Sequence, residues 1–264
     1  MSVGLSGQFG NQLFEIATAY AYSLDNNLIL TVPDLQGKQR DNILNNAKEL
    51  FFSRINAYDL PRPPVRIWRE PTFNYSPIPS AANIELHGYF QSEKYFKHRK
   101  EELLKLFAAP EGYNEKILNK YPFLATDALV VGVQVRDYRK ERPTGAYHPT
   151  LTRSYYAEAI ALFPDNAIFM VSSNNINYAR ACTEGLAKNI IYLENSSKYI
   201  EEFYTLILCK SFIISNSSFG WWAAWLSMSS NKTVVAPSNW FAFPYKNELM
   251  IKDLVPSEWV LMPN

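Results

Sequence analysis

The stretch that decides the fold is Ile213–Leu226, which reads IISNSSFGWWAAWL. Ile213 and Ile214 at its start, together with the preceding Phe212, are apolar and partly β-branched, as expected for a buried parallel strand. Ser215–Ser218 is a polar turn, and Phe219–Met228 is apolar and rich in helix formers. The stretch therefore predicts a strand, a tight turn and a helix. Its turn presents backbone N–H groups at a helix N-terminus, where an anion such as phosphate is stabilised.

Two interpretations of this turn remain open. Ser or Asn is also the ordinary N-cap of a core helix, so the stretch is compatible with a helix that has no ligand. Three Trp within five positions favour a site, because bulky rings behind a polar turn form a rigid wall on which sugar or base faces pack. The apolar run is about half of the roughly 20 residues that a bilayer requires, so we predict no membrane span.

The second half of the chain alternates strands with helices. We predict strands at 128–135, 167–172, 190–193, 212–214 and 233–236 and helices at 152–162, 176–186, 198–209 and 219–228. This βαβα series predicts a parallel sheet with helices on both faces and right-handed crossovers. Ligands of such sheets bind beyond the C-terminal ends of the strands. The polar clusters 134–138, 172–175 and 215–218 lie at that edge, and their convergence predicts a binding site.

The first half is less regular. We predict strands at 3–5, 28–32 and 83–90 and helices at 13–24 and 96–107. The turn 6–12 contains two glycines, which permit a close approach of backbone to a ligand. Six prolines between 61 and 79 predict an irregular insertion over 33–79. The segment 108–127 is turn-prone and predicts a domain junction, which gives one domain at 1–125 and another at 126–264.

Composition excludes several classes of protein. Of the 264 residues, 47% are hydrophobic and 15% aromatic, which supports a full core and argues against disorder. The formal net charge is +1, so we expect neither a nucleic-acid partner nor attraction to an anionic membrane. Cys182 and Cys209 lie outside any CxxC or Cys/His cluster, so we expect no zinc and interpret both as small core residues. Residues 1–5 do not begin a signal peptide, and we predict a cytoplasmic location.

If the ligand at this edge is a nucleotide diphosphate sugar, transfer of the sugar requires stabilisation of the departing diphosphate. A metal held by carboxylates is one solution, but the sequence has no Asp-x-Asp pair. The other solution is a guanidinium with helix-terminus N–H groups, and Arg136, at a strand end, is the candidate. Preorganised charge of this kind lowers a barrier by on the order of a few kcal/mol. The alternative for Arg136 is a structural salt bridge to Asp137 or another acid.

Other polar residues near these strand ends also have alternative interpretations. Asp137 orients Arg136, contacts the sugar, or caps the following turn. Ser172–Asn175 reach a base or ribose, or cap the helix at 176. His148 is the one histidine to test as a base, the alternative being a structural role. The basic run Arg139–Arg142 is interpreted as a solvated loop.

Five segments carry a resemblance to a known family. Gly7–Phe14 reads GQFGNQLF, Gly88–Phe96 reads GYFQSEKYF, and Ile214–Leu226 reads ISNSSFGWWAAWL, which is the most specific of the set. Tyr147–Ile160 and Trp240–Trp259 add weaker matches. Together the segments resemble the α-1,2-fucosyltransferases of glycosyltransferase family 11, and the resemblance covers essentially the whole chain.

The resemblance implies an α/β fold of the GT-B-like type, with two facing Rossmann-like domains and parallel sheets. It implies inverting, metal-independent transfer of L-fucose to a glycan hydroxyl in α-1,2 linkage, through an oxocarbenium-like transition state. No cofactor is then expected. The partners are the donor substrate GDP-fucose, bound mainly by 126–264, and a glycan acceptor on the side of 1–125.

The matching positions give the expected site residues. Arg136 and Asn11 are the expected catalytic residues, Arg136 at the diphosphate and Asn11 at the donor or acceptor. The expected donor-binding residues are Gly10, Asp137, Ser173, Asn174, Asn175, Asn216, Ser217, Ser218 and Phe219. Gln12, Gln91 and His148 are expected on the acceptor side.

Two departures from the family pattern leave alternatives open. The family's His-x-Arg-Arg-Gly-Asp-Tyr motif is shortened to QVRDY at Gln134–Tyr138, and its Phe-Ser-Asp-Asp segment is SSNN at Ser172–Asn175. A carboxylate accepts the N1–H and N2–H of guanine better than a neutral amide does. The alternatives are therefore a transferase that uses another GDP-linked sugar, or a non-catalytic module that binds nucleotides or glycans.

Overall fold

The chain folds into two units. The computed structural model describes residues 1–35, 54–55, 66–139, 141, 147–194, 199–242 and 252–264. One compact unit, the N-terminal unit, comprises Met1–Pro110 with Glu248–Pro256. The other, the C-terminal unit, comprises Glu111–Asn247 with Ser257–Asn264. Each unit is built around its own parallel sheet.

The N-terminal unit has a three-stranded sheet. Its strands are β1 (Ser2–Val3), β2 (Arg66–Arg69) and β3 (Ile84–His87), in the order β1-β3-β2. After β1 the chain turns through Gly7, whose φ of 67° lies in the left-handed region that glycine tolerates. It then enters helix α1 (Phe9–Asp25). Phe14 of α1 is fully buried and its ring lies 6.0 Å from that of Phe96, so α1 packs into the core of this unit.

Most predicted elements of this unit are confirmed with shifted or shorter bounds. The predicted strand at 83–90 is β3, and the predicted helix at 13–24 is α1. The predicted helix at 96–107 is a 3-10 turn followed by helix α2 (Lys100–Leu106). The 3-10 turns of the described residues in this unit are Pro33–Leu35, Glu93–Tyr95 and Lys97–Arg99.

Two other predictions for this unit are wrong. The apolar segment 28–32 does not form a strand, because only Thr31 pairs, as an isolated bridge to Ser2, and Ile29 is 70% exposed. Strand β2 lies inside the segment predicted to be irregular. Its side chains are mostly exposed, so the sequence there lacks the apolar pattern that burial imposes. Most of the remaining predicted insertion lies outside the described residues.

The boundary between the two compact units lies between Pro110 and Glu111, earlier than the predicted junction at 125/126. Helix α3 (Tyr113–Lys120) and the 3-10 turn Pro122–Ala125 belong to the C-terminal unit. Lys116 and Lys120 of α3 donate to the Glu201 carboxylate at 2.9 and 3.1 Å. These ion pairs tie α3 to its own unit, while the acceptor and donor roles of the two domains stay predictions.

The C-terminal unit contains a six-stranded, fully parallel sheet. Its strands are β4 (Val130–Val135), β5 (Ile168–Ser173), β6 (Asn189–Tyr192), β7 (Ser211–Ile213), β8 (Val234–Pro237) and β9 (Val260–Met262). Their order is β6-β5-β4-β7-β8-β9. The direction of the winding reverses between β4 and β7, and sheets of this kind bind ligands at such a switch point.

Helices cover both faces of this sheet. They are α4 (Arg153–Ile160), α5 (Ile176–Thr183), α6 (Tyr199–Ile207) and α7 (Ser218–Leu226). Val131, Val133 and Val135 of β4 share a core with residues of α4 and α5. A Cβ added at Gly132 would lie 3.1 Å from Leu206 of α6. Since successive strand residues point to opposite faces, β4 is covered on both sides.

The βαβα series predicted for the second half is confirmed, since each predicted strand and helix has its counterpart. Strand β9 was not predicted; it is short and two of its three side chains are exposed. Cys182 and Cys209 are buried and unbridged, as predicted for core residues. Within the described ranges, no helix combines the length and apolar character needed to cross a bilayer. The cytoplasmic location stays a prediction.

Candidate functional site

Two polar turns meet at the switch point of the C-terminal sheet. Strand β4 continues into Arg136 and Tyr138, and strand β7 continues into Ser215–Ser218. The two strands are adjacent and parallel, so their C-terminal ends share one edge. The hydroxyl of Tyr138 donates to the backbone carbonyl of Asn216 at 2.9 Å. Two of the polar clusters that were predicted to converge are therefore in contact.

Arg136 is paired with an acid. Its Nη2 donates to Oε2 of Glu141 at 2.8 Å, and its guanidinium carbon lies 5.6 Å from the centroid of the Tyr138 ring. The Arg136 and Glu141 side chains are 19% and 25% exposed, so the pair is partly shielded yet reachable from solvent. The salt-bridge alternative is thus observed, with Glu141 rather than Asp137 as the partner. The role of Arg136 at a diphosphate stays a prediction.

Asp137 is buried and holds the turn that follows β4. Its carboxylate accepts from Nε and Nη2 of Arg139 at 2.8 and 2.9 Å and from the Arg139 backbone N–H at 3.1 Å. Nδ2 of Asn175 donates to it at 2.7 Å. These donors, the Arg139 side chain above all, hold the pKa of the Asp137 carboxyl well below its ordinary value. Turn capping by Asp137 is therefore observed, and a contact of Asp137 with the donor stays a prediction.

The amide side chains after β5 form bonds within the protein. Oδ1 of Asn174 accepts from the Asp137 N–H at 2.9 Å, and its Nδ2 donates to the Asp137 carbonyl at 3.0 Å and to Oε1 of Glu141 at 2.8 Å. Asn175 is the N-cap of α5, and its backbone N–H donates to the Ser173 hydroxyl at 3.0 Å. Capping of α5 by Asn175 is thus observed. Donor binding by Ser173, Asn174 and Asn175 stays a prediction.

The turn before α7 is anchored by buried polar groups. The hydroxyl of Ser215 donates to Oε1 of Gln134. Nδ2 of Asn216 donates to the carbonyls of Pro149 and Trp240 at 3.0 and 3.1 Å. Within the described part of the chain, the Oδ1 of Asn216 is buried without a hydrogen-bond partner. These bonds fix the backbone at the point where the helix begins.

Helix α7 starts directly at this turn. Ser217 is its N-cap residue, and Ser218 and Phe219 open its first turn. A Cβ added at Gly220 would lie 3.2 Å from the Cβ atoms of Gln134 and Ile214, so the helix start touches the ends of β4 and β7. A helix N-terminus carries positive potential and presents N–H groups to an anion. The fold therefore brings the N-terminus of α7 close to the strand end that Arg136 follows, and anion binding there stays a prediction.

Tryptophans support α7 from the protein interior. Trp221 and Trp222 are fully buried. The ring of Trp221 lies 6.1 Å from that of Trp225 and 5.5 Å from that of Trp259. Rings inside the core offer no face to a sugar or base, so Trp221 and Trp222 do not form the predicted ligand-binding wall. They hold the turn in place from behind.

His148 lies in the same cluster of the C-terminal unit. Its ring stacks on that of Tyr138 at 4.8 Å, and its Nδ1 donates to the Trp240 carbonyl at 3.1 Å. A carbonyl only accepts, so Nδ1 carries the proton and Nε2 is the basic nitrogen. Burial lowers the pKa of the His148 imidazole, which favours the neutral form. In this neutral form Nε2 carries no proton, and the role of His148 as a base on the acceptor side stays a prediction.

Glu141 is a member of this cluster that the sequence did not indicate. It lies inside the basic run Arg139–Arg142, which was interpreted as a solvated loop. Arg139 is instead bound to Asp137, although 56% of its side chain is exposed. Lys140 and Arg142 lie outside the described residues. A carboxylate five positions after Arg136 matches no local pattern, because the pairing depends on how the turn folds.

In the N-terminal unit, a second group of predicted residues surrounds the start of α1. Oδ1 of Asn11 accepts from Nε2 of Gln91 at 2.9 Å, which links α1 to the loop after β3. Nε2 of Gln12 donates to the carbonyl of Gly7 at 3.1 Å. Gly10 is buried in the first turn of α1. The turn and the helix start are thus joined by side-chain amides, and their ligand contacts stay predictions.

A buried acid lies one turn further along α1. Glu15 is fully buried, and its two carboxylate oxygens accept from the Ser6 N–H at 3.1 and 2.9 Å. Burial raises the pKa of the Glu15 carboxyl well above its ordinary value. The carboxyl fastens the segment between β1 and Gly7 to the helix. Nothing in the helical spacing of the sequence indicated a buried acid at this position.

The predicted site residues therefore form two groups, one in each unit. Gly10, Asn11, Gln12 and Gln91 belong to the N-terminal unit, and Arg136, Asp137, His148, Ser173, Asn174, Asn175, Asn216, Ser217, Ser218 and Phe219 belong to the C-terminal unit. Over the ranges that the structure describes, no three His, Cys, Asp or Glu side chains are grouped as metal ligands. Metal independence stays a prediction.

Comparison with known proteins matches the whole chain to one family. The model of Glycosyl transferase family 11 matches residues 1–262. An alpha-1,2-colitosyltransferase of Escherichia coli is 26% identical over 287 residues, which cover 97% of this chain and 96% of the relative. A galactoside alpha-(1,2)-fucosyltransferase 2 of Oryctolagus cuniculus is 23% identical over 266 residues, which cover 94% of this chain and 73% of the relative.

Solved structures show the same fold. The fucosyltransferase NodZ from Bradyrhizobium matches with a TM-score of 0.56 and 14% identity, over 84% of this chain and 91% of the other. FUT1 of Arabidopsis thaliana, in complex with GDP, matches with a TM-score of 0.54 and 14% identity, over 93% and 74%. At these identities the likeness concerns the fold alone. It confirms the prediction of an α/β, GT-B-like fold with parallel sheets.

Proposed function

We propose that this chain, which belongs to Glycosyl transferase family 11, transfers L-fucose from GDP-fucose to a glycan hydroxyl. The proposed reaction inverts the anomeric carbon, needs no metal and forms an α-1,2 linkage. One observation carries the proposal: Arg136 and the N-terminus of α7 follow β4 and β7, the two strands of the switch point. This is where parallel α/β sheets bind nucleotides.

The chemistry follows from these groups. The acceptor oxygen attacks the anomeric carbon, and the bond from that carbon to the diphosphate breaks with its electron pair going to GDP. The guanidinium of Arg136 and the N–H groups of α7 stabilise the growing charge on the diphosphate, an effect on the order of a few kcal/mol. The proton of the acceptor hydroxyl passes to a base, for which His148, neutral with Nε2 unprotonated, is our candidate.

A related donor is the second candidate. The Escherichia coli relative that is 26% identical over 97% of this chain is a colitosyltransferase, and colitose lacks one hydroxyl of fucose. The side-chain amides of Asn174 and Asn175 form bonds within the protein, and neither amide offers a carboxylate to the N1–H and N2–H of guanine. A panel of GDP-fucose, GDP-colitose, GDP-mannose and UDP-galactose separates donors by the initial rate of transfer to a galactoside acceptor.

The first experiment is calorimetric titration of GDP without added metal, on the wild type and on Arg136→Ala. We expect the substitution to weaken GDP binding by roughly tenfold or more, because it removes a charge-assisted contact to phosphate. Arg180→Ala is the matched control. Arg180 also pairs with an acid, Glu194, and stacks on Tyr192 of the edge strand β6, so its loss should leave GDP binding unchanged.

The outcomes separate the candidate functions. GDP binding that depends on Arg136, followed by turnover with GDP-fucose, supports the proposal, and turnover with GDP-colitose alone supports the second candidate. GDP binding that does not depend on Arg136 contradicts the assigned site. GDP binding without turnover on any donor supports a non-catalytic binding module. Absence of nucleotide binding overturns the proposal altogether.

A further inference from the structure

The carboxylate of Glu141 bridges two side chains that follow different strands. Its Oε2 accepts from Nη2 of Arg136 at 2.8 Å, and its Oε1 accepts from Nδ2 of Asn174 at 2.8 Å. We propose that Glu141 is a positioning residue, held by Asn174, that aims the guanidinium of Arg136 at the diphosphate of the donor. The inference rests on the proposed function and adds to it a residue that orients the phosphate-binding group.

The bridge is anchored on the backbone of the strand ends. Asn174 accepts from the N–H of Asp137 at 2.9 Å and donates to the carbonyl of the same residue at 3.0 Å. This paired contact fixes the amide plane of Asn174 beside the end of β4. The second hydrogen of Nδ2 then points to Glu141. The orientation of Arg136 is in this way tied to the C-terminal ends of the paired strands β4 and β5.

The chemistry of this bridge requires an amide at position 174. Nδ2 donates to two acceptors, the Asp137 carbonyl and the Glu141 carboxylate, and Oδ1 accepts from an N–H. An Asp at this position has no N–H to donate and would place its charge against Glu141. The amide of Asn174 is therefore matched to the carboxylate of Glu141.

A comparison with Arg139 shows why the pair with Glu141 is compatible with ligand binding. Arg139 meets Asp137 through two nitrogens, Nε and Nη2, which is the forked geometry of a structural pair. The contact between Arg136 and Glu141 involves Nη2 of the guanidinium and one carboxylate oxygen. Glu141 thus restrains one corner of the Arg136 guanidinium. A preorganised guanidinium loses less entropy when it binds a phosphate.

The test is a double-mutant cycle on GDP binding, measured by calorimetry. We expect Glu141→Ala to weaken GDP binding by about tenfold. This is the loss typical of one charge-assisted hydrogen bond, here one from a misoriented Arg136 guanidinium to the diphosphate. In the background of Arg136→Ala the same substitution should change GDP binding by less than about twofold, because there is then no guanidinium to aim. Guanosine, which has no phosphate, should bind all variants alike. Asn174→Asp should reproduce the loss caused by Glu141→Ala.

Controls distinguish positioning from a general effect of charge or folding. Glu194→Ala removes an acid that pairs with Arg180 and should leave GDP binding unchanged. If Glu141→Ala does not fold, Glu141→Gln carries the test with a smaller loss, because its amide oxygen still accepts from Arg136. Unchanged or tighter GDP binding by Glu141→Ala overturns the inference, since Glu141 would then compete with phosphate. An equal loss in both backgrounds also overturns it.

The two levels of proposal fail in different ways. If the wild type binds GDP and Arg136→Ala weakens it while Glu141→Ala does not, only the positioning role is wrong. If the wild type binds no GDP, the proposed function fails and the positioning role falls with it.

Discussion

Helices α1 and α7 both begin at polar turns after parallel strands, yet the contacts that hold the two helix starts differ. The start of α1 is fixed by side-chain amides and by the buried acid Glu15. The start of α7 also has polar bonds, from Ser215 and Asn216, but buried tryptophan rings and the close approach of Gly220 to the strand ends add packing to them. The comparison teaches that similar strand-turn-helix patterns can combine polar bonds and packing in different proportions, and the two should respond differently to substitution and to pH.

The difference follows from the physics of burial. Polar bonds inside a protein return little net free energy but are costly to leave unmade. Apolar rings contribute in proportion to the area removed from water. The start of α7 should therefore be sensitive to side-chain volume, and the start of α1 to backbone shape and to protonation. The following predictions test this contrast, beginning with the largest effect.

Trp221→Ala should destabilise the C-terminal unit by about 3–5 kcal/mol, the usual cost of removing a fully buried large aromatic ring. Urea denaturation followed by circular dichroism gives the free energy of unfolding. Met228→Ala is the control, since Met228 lies just beyond α7 and is 83% exposed; its effect should be within about 0.5 kcal/mol. A loss below about 1 kcal/mol for Trp221→Ala would mean that packing does not hold α7.

Gly7→Ala should destabilise the N-terminal unit by about 1–3 kcal/mol, because alanine is strained at positive φ. A Cβ here would also lie 2.3 Å from Nδ2 of Asn11, so the side chain of Asn11 must move. Gly112→Ala is the matched control: its φ is 74°, but nothing lies within 4 Å of an added Cβ. Equal losses of stability in the two variants would show that the contact with Asn11 has no energetic consequence.

Glu15 should make the stability of the N-terminal unit depend on pH. Its pKa is raised in the folded state, mainly by burial. Its stabilising contribution is therefore complete below the ordinary range of a carboxyl and is lost as the pH rises through the raised pKa. Glu15→Gln keeps an oxygen that accepts from Ser6 and should flatten this dependence. Urea denaturation at a series of pH values checks it, and parallel curves for the two proteins would contradict it.

Asn11 and Gln91 should be coupled by about 0.5–1.5 kcal/mol, the net value of one hydrogen bond. A double-mutant cycle with Asn11→Ala and Gln91→Ala measures the coupling in the free energy of unfolding. Gln12→Ala in place of Asn11→Ala serves as the control, because Gln12 donates to Gly7 and not to Gln91. Strictly additive losses of stability would show that the hydrogen bond between Asn11 and Gln91 contributes nothing to the free energy of unfolding.

The sequence predicted the C-terminal fold well because apolar runs mark buried parallel strands. The run that became β4 is buried at every position, and its hydrophobicity reflects cover on both faces. The order of the strands depends on contacts between distant residues, and no local pattern specifies it. The same apolar pattern predicted a strand at 28–32 that does not form. Strand β1, beside which Thr31 lies, is only two residues long and leaves little backbone for a neighbouring strand to pair with.

The candidate site was predictable in part. Arg136 and the turn before α7 follow strands whose ends the sequence located, so their convergence could be inferred. Glu141 could not, because its contact with Arg136 depends on the path of a turn. The bonds from Asn174 and Asn175 to Asp137 could not be inferred from the sequence either, and the role of both amides in donor binding stays a prediction. Hydrogen-bond partners of this kind are set by tertiary structure.

The tryptophans that support α7 also allow the protein to be followed by its intrinsic fluorescence. Of the six tryptophans in the sequence, the N-terminal unit contains Trp68, and the C-terminal unit contains Trp221, Trp222, Trp225, Trp240 and Trp259. Intrinsic tryptophan emission therefore reports mainly on the C-terminal unit, and Trp68 reports on the N-terminal unit. The carbonyl of Trp240 accepts from both Asn216 and His148, so we expect a ligand that moves either residue to change the emission of Trp240.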